Sequence, residues 1–417
     1  MWTKKSALCA GGSLVLIAAG LGLPTPNVAL VATGLALLAY LLVGALQDRR
    51  ASVEVVRQTS SERIFETETL EVQYQVKNTG KKPAFIEVRD ELPETVALAS
   101  GSNFNLYQLR PGASADGSYA LSCPIRGHYK AGPPAYRVRD IFSLFFEERQ
   151  GKEVTYFTVY PKDESPREIP AESSAPNNAI GTYSVRKPGQ GMEFFGLRAY
   201  AVGDSFRDVN WKASAKSKDL VVNQRQHETT AEVTVFLDAR LIAGVGRLDN
   251  NPLLLSCRSV STLLSFYLDK RDRLRLVTYG EGIHVLGPDD GERHKFKVLD
   301  HLAAVQAGGH VRLGDALDKV LPTLKKKSPA IILSSLVDDP TITTVASTLR
   351  TLEAGILVIT PELVLPPGPD GKPTPMEELM RVERQAAIGK LRGYGARVVE
   401  WRPGESLTIA IMQGMMA

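Results

Sequence analysis

Two uncharged apolar runs near the N-terminus, Ser6 to Leu23 and Val28 to Leu46, constrain this chain more than anything that follows them. As helices rising about 1.5 Å per residue they reach roughly 27 and 28 Å, close to the ~30 Å hydrocarbon thickness of a bilayer. Pro24-Thr25-Pro26-Asn27 between them leaves room only for a tight turn. The runs therefore predict a transmembrane helical hairpin over residues 1–50, with spans at about 6–23 and 28–46. Lys4-Lys5 before the hairpin and Arg49-Arg50 after it place both outer ends on the cytoplasmic side. A cleaved signal sequence shares the basic start and short first run, but an immediate second run with a basic follower argues against it. The expectation is a multi-pass protein of the cell membrane, inner or plasma, with cytoplasmic soluble domains.

The hairpin also accounts for the charge. Lys4, Lys5, Arg49 and Arg50 against Asp48 supply three of the four net positive charges, so the remaining 46 basic and 45 acidic residues nearly cancel. The pI of 8.8 is then a topology signal rather than a nucleic-acid footprint, and no nucleic-acid partner is expected. Cys9, Cys123 and Cys257 fall in three different regions without zinc spacing and read as reduced thiols.

Three further regions are expected. From 51 to 161 the period is two: Leu70, Val72, Tyr74 and Val76 alternate with polar residues until Asn78-Thr79-Gly80 breaks the strand, and Tyr119, Leu121, Cys123 and Ile125 repeat the pattern. About seven short strands predict an immunoglobulin-like β-sandwich. The dense patch Asp140 to Phe146 is expected to pack on the next domain, with facing the membrane as the alternative. From 162 to 231 comes a linker, rich in Pro and Gly up to about 190, and then a distinctive core segment. From 232 to 417 strands at 233–237, 274–279, 330–336, 356–360 and 397–401 alternate with helices at 252–269, 314–326, 340–353 and 375–393. That alternation predicts a doubly wound α/β sheet with helices on both faces. Gly189-Gln190-Gly191 lacks the third Gly and the preceding strand of a dinucleotide fingerprint, so no cofactor is expected.

The core segment, Gly196 to Val222, gathers Gly196, Arg198, Tyr200, Gly203-Asp204, Arg207, Asn210-Trp211, Ser214-Ala215 and Leu220-Val221-Val222. Asp204 is placed to cap a helical turn starting at Ser205, with Arg207 and Trp211 four apart on one face of it. These residues resemble the core of the domain of unknown function 58 family. The resemblance implies two membrane spans, a β-sandwich, this segment and a von Willebrand A-like domain. It also implies a partner, since relatives commonly accompany MoxR-type AAA ATPases thought to act in maturation or assembly of other proteins. Two roles for the segment remain open. In one, Asp204 with Arg198 or Arg207 clips elements together and Trp211 plugs a seam; in the other, the same residues form a docking surface, since Trp, Tyr and Arg dominate interface energetics. Ser214 has only the distant His227 and gives no nucleophile signal.

In a von Willebrand A-like domain the end of the first strand offers Asp-x-Ser-x-Ser to a divalent cation, with Thr and Asp from later loops. Here the run is Asp238-Ala239-Arg240-Leu241-Ile242; the Thr position falls near Val311 and the Asp near Ser335, with Asp338-Asp339 just beyond. Asp238 and Arg240 thus mark a degenerate metal site in which the Arg240 guanidinium pairs with Asp238, and no metal is expected. The expected function is that of a non-enzymatic, membrane-anchored cytoplasmic scaffold or adaptor working with a MoxR-type AAA ATPase and other protein clients. The alternatives are a cation-dependent von Willebrand A-type ligand-binding module and, behind it, an enzyme using Arg198, Asp204, Arg207 and Trp211.

Overall fold

The computed structural model describes residues 3–46, 52–139, 144–163, 188–217, 219–226, 231–362, 373–402, 405–407 and 409–411. Arg49, Arg50, Asp140–Ser143, His227 and most of the expected linker, 164–187, lie outside these residues. The chain divides into two compact units, Met1–Tyr160 and Pro161–Ala417.

In the first unit Thr3 caps α1 (Lys4–Gly22) by accepting from the Ser6 amide, and Asn27 accepts from the amides of Ala29 and Leu30 at the start of α2 (Val28–Leu46). Both helices are long and apolar enough to cross a membrane. They meet along small residues. A methyl group at Gly34 would lie 2.9 Å from the Ser13 carbonyl oxygen, and one at Gly20 would lie 2.7 Å from Val31 Cγ2.

Eleven strands follow, more than the seven expected: β1 (Val53–Thr59), β2 (Arg63–Phe65), β3 (Thr69–Asn78), β4 (Ala84–Arg89), β5 (Ala97–Gly101), β6 (Phe104–Leu109), β7 (Ser114–Ser122), β8 (Gly127–Ala131), β9 (Ala135–Arg139), β10 (Phe146–Gln150) and β11 (Thr155–Tyr160). They form sheets ordered β1-β3-β7-β5, β10-β9-β4-β6 and β2-β11-β8. All pairs are antiparallel except β11 with β2. Strict alternation along β3 buries Leu70, Val72, Tyr74 and Val76 in one core with Ile86, Val88, Tyr119 and Leu121. Within that layer the Arg57 guanidinium is buried on Asp90 at 2.7 Å, and the Tyr119 hydroxyl donates to the same carboxylate at 2.6 Å. Of the patch ending in Phe146, Leu144 and Phe145 are buried against Leu41 of α2.

The second unit opens with β12 (Pro188–Ala199), a short helix α3 (Trp211–Ser214) and β13 (Val221–Gln226), which pairs antiparallel with β12. Gly189-Gln190-Gly191 therefore lies within a strand. The remainder is β14 (Glu232–Asp238), α4 (Pro252–Asp269), β15 (Arg273–Tyr279), β16 (Ile283–Asp289), α5 (Gly291–Ala304), α6 (Leu313–Val320), β17 (Ala330–Leu333), α7 (Ile342–Thr351), β18 (Ile356–Pro361), α8 (Pro375–Gly393) and β19 (Arg397–Trp401). The sheet order is β16-β15-β14-β17-β18-β19, parallel but for the antiparallel edge strand β16. Phe236, Val277, Ile332 and Val358 pack with Leu313 and Leu317 of α6, Val345 and Leu349 of α7 and Ile388 and Leu391 of α8. Helices α4 and α5 pack on each other, and α4 also lies on β14, β15 and β18. From β14 the chain goes first to β15 on one side and later to β17 on the other. This reversal is a topological switch point at the carboxyl ends of β14 and β17, the place where open α/β sheets form the crevice that binds ligands.

Candidate functional site

Asp238 ends β14 at that reversal and is 1% exposed. Arg240, two residues on, turns back over it. Its Nε donates to Asp238 Oδ1 at 3.0 Å, a terminal guanidinium nitrogen donates to Oδ2 at 2.8 Å, and its backbone amide donates to Oδ1 at 3.1 Å. The Ser334 hydroxyl, just past β17, donates to Oδ2 at 2.7 Å. Four donors thus satisfy the carboxylate. The rest of the guanidinium is met by the carbonyls of Asp338 at 2.7 Å and Val337 at 3.1 Å, with Asp339 Oδ2 at 3.9 Å. Leu336 and Asp338 hold left-handed backbone angles, φ 61° and 53°, which are unusual for residues with a Cβ and flank the turn that supplies these carbonyls.

The pair is electrostatically closed. Burial works against the Arg240 charge, but the hydrogen bonds and charge of Asp238 outweigh it and hold the guanidinium above its ordinary range. The Tyr279 ring lies 6.0 Å from the guanidinium carbon, and burial, followed by the charge of Asp238, pushes its phenol well up. Close backbone contacts seal the surrounding loops. A side chain at Gly280 would meet the Ala239 carbonyl oxygen at 2.4 Å, and the Gly308 amide donates to that same oxygen at 2.8 Å.

Arg240 thus lies on Asp238 and bonds to both of its carboxylate oxygens. Val311, at the expected Thr position, instead packs against the apolar core and donates its amide to the Gly280 carbonyl. Ser335 is buried and its hydroxyl has no hydrogen-bond partner. Asp339 accepts from the Leu313 amide at the start of α6 and from Thr341, so it fixes loops around the crevice. Sequence reasoning missed Ser334. Its signal was its place one residue beyond a strand adjoining β14.

The Gly196 to Val222 segment forms a separate feature of the same unit. Gly196 pairs with Gln224 on β13, and Arg198 leaves β12 to grip Asp204 with two hydrogen bonds of 2.6 and 2.5 Å. Asp204 also accepts from the Ala201 amide at 2.8 Å, across a turn in which Gly203 holds φ 109°. The Arg198 hydrogen bonds, then that of Ala201, pull the Asp204 carboxyl below its ordinary value. The expected cap is corrected: Ser205, not Asp204, accepts from Arg207, and only a 3-10 turn, Phe206–Asp208, follows. Arg207 and Trp211 consequently do not share one helix. Asn210 begins α3, accepting from Ala213 at 2.9 Å and donating to Asn223 at 2.9 Å.

Trp211 does not plug a packed interior. It is 63% exposed, Phe206 is 65% exposed with its ring 5.8 Å from that of Tyr200, and Val202 is fully exposed. Among these exposed residues, which together are called the ridge, Val209 bridges to Val222, both buried, and the Ser214 hydroxyl accepts from the Val221 amide at 2.9 Å. A hydrogen-bonded base thus carries exposed aromatic side chains.

Residues 196–367 match the family model described as "Protein of unknown function DUF58". The chain thus carries a DUF58 match over that span. The matched span takes in both the ridge and the Asp238–Arg240 crevice, so the two features belong to one family region. No curated protein matches the chain. Among solved structures, the cupredoxin domain of amoB from Nitrosocaldus yellowstonii aligns at 15% identity over 32% of this chain and 99% of its own, with a TM-score of 0.21. Proximal thread matrix protein 1 from the mussel byssus aligns at 12% identity over 45% of this chain and 46% of its own, with a TM-score of 0.30.

Proposed function

We propose that this DUF58 protein is a non-enzymatic adaptor, anchored in the cell membrane by its helical hairpin, with both soluble units in the cytoplasm. It presents the Val202–Phe206–Trp211 ridge to a MoxR-type AAA ATPase acting in assembly or maturation of client proteins. The observation that carries this reading is the exposure of Phe206 and Trp211 on a base held by the Arg198–Asp204 pair. Aromatic anchors on a preorganised support lose little conformational freedom on docking, which is what concentrates binding energy in a few residues. The strand order of the second unit and the position of Asp238 support its reading as von Willebrand A-like, and the antiparallel sheets of the first support an immunoglobulin-like sandwich. Arg240 on Asp238 favours the adaptor over a cation-dependent ligand-binding module, because a cation would have to displace a saturated guanidinium.

The test is co-purification of the full chain from detergent-solubilised membranes with a MoxR-type ATPase of the same cell. Wild-type protein retains the ATPase and Trp211→Ala loses it. Wild-type protein that never retains it would sink the proposal.

A further inference from the structure

One end of the sandwich is fastened to the hairpin. Leu144 and Phe145 are buried with Leu41, beside Cys9 and Ala10, and a methyl at Gly44 would lie 3.1 Å from Leu144 Cδ1. Thr3 donates to the Leu144 carbonyl through its amide at 3.1 Å and its hydroxyl at 2.9 Å. Thr3 precedes α1 and Gly44 is in the last turn of α2, so the contact lies at the open end of the hairpin.

Strand register decides which other loops share that end. Arg139, leading to Leu144, pairs with Phe85; Ala84 pairs with Leu109; Asn78 pairs with Val53. The loops before β4 and after β6 therefore lie with the β9–β10 connection. Asn78, fully buried, joins them, donating through its side chain to the carbonyls of Lys82 at 2.8 Å and Leu109 at 3.1 Å. Its carbonyl accepts from the Gly112 amide at 2.8 Å. Thr79 donates to the Ser52 carbonyl at 2.7 and 2.8 Å, and the chain from Leu46 to Ser52 can reach at most about 22 Å.

The loops held in this plate are basic. Residues 79–83 are Thr-Gly-Lys-Lys-Pro and 110–113 are Arg-Pro-Gly-Ala, so Lys81, Lys82 and Arg110 stand exposed with no acidic residue on either loop. Lys4 and Lys5 are exposed at the start of α1 at the same end. We propose that the Lys81-Lys82 and Arg110 loops form a second membrane contact, binding anionic lipid headgroups beside the hairpin. The occupant follows from continuity with the hairpin and from charge: cations held near an anionic leaflet are attracted over about a Debye length. The proposal rests on the reading of the hairpin as membrane-spanning.

Full-length protein in vesicles of phosphatidylcholine, with or without phosphatidylglycerol, tests it. Flotation reads the hairpin alone. A fluorophore on Ser114→Cys, in a Cys9→Ala background, reads the loops through quenching by a nitroxide-headgroup lipid. The protein floats with both vesicles, and quenching strengthens with phosphatidylglycerol and weakens with salt. Combined Lys81→Gln, Lys82→Gln and Arg110→Gln leaves flotation intact and lowers phosphatidylglycerol-dependent loop contact by roughly tenfold or more. Equal quenching in both vesicles, or undiminished quenching in the triple variant, overturns the lipid contact. Failure to float overturns the hairpin reading instead.

Discussion

Arg240 and Asp238 bond to each other through both carboxylate oxygens at 3.0 and 2.8 Å while both side chains are almost wholly buried. The cost of separating them differs from the cost of removing both. Asp238→Ala leaves a buried guanidinium without its counter-charge and should destabilise by about 3–5 kcal/mol, whereas Asp238→Leu with Arg240→Met should recover most of that loss. Urea unfolding of the single and double variants measures the difference. A double variant no more stable than Asp238→Ala would mean the pair does not act as a unit.

The same pair predicts the response to cations. Calorimetric titration with magnesium, manganese and calcium should show no stoichiometric site, because the oxygens of Asp238 are already engaged by Arg240 and Ser334. An isotherm that Asp238→Ala abolishes would contradict this and favour the ligand-binding module.

Trp211→Ala should leave stability within about 1 kcal/mol, as for a surface substitution, rather than costing the 3–5 kcal/mol of a buried aromatic. Capture of the ATPase should fall by the equivalent of about 2 kcal/mol or more, the size of a hot spot. Thermal melts beside a capture assay separate these outcomes; a large loss in melting temperature would return Trp211 to a packing role.

Asp204 gives the segment a pH dependence of definite sign. Its carboxyl is lowered from an ordinary value of 3.8 by Arg198 and the Ala201 amide, so its stabilisation is present above 3.8 and is lost as pH falls through the lowered value. Hydrogen exchange at the Ala201 amide should stay slow below pH 3.8 in wild type. In Asp204→Asn it should be faster above the lowered value, and the two proteins should converge below it. Protection already lost at 3.8 would show that the pair is not maintained in solution.

The α/β region was legible where end signals were strong. Helices α4 and α8 have the boundaries read from sequence, the first from its apolar stripe and the second because Thr374-Pro375 marks its start. Strand β16 and helix α5 were not read. The first is a half-exposed edge, and the buried stripe of the second begins at His294, a polar residue whose Nε2 meets the Leu274 carbonyl. Asn78 read as a strand breaker, and burial made it the joint of three loops. Arg240 was readable because a strand end aims its neighbours at one point. Exposure at Trp211 depends on tertiary surroundings that no local pattern records.

The close seam between α1 and α2 has a consequence for how the protein is made. With Gly34 against the Ser13 carbonyl and a short turn between the helices, the two spans suit entry into lipid as one folded pair rather than as helices that find each other later. A hairpin seated in lipid would tether the rest of the chain to a surface, where diffusion in two dimensions raises the encounter rate with any other membrane-bound protein and sets aside those free in solution.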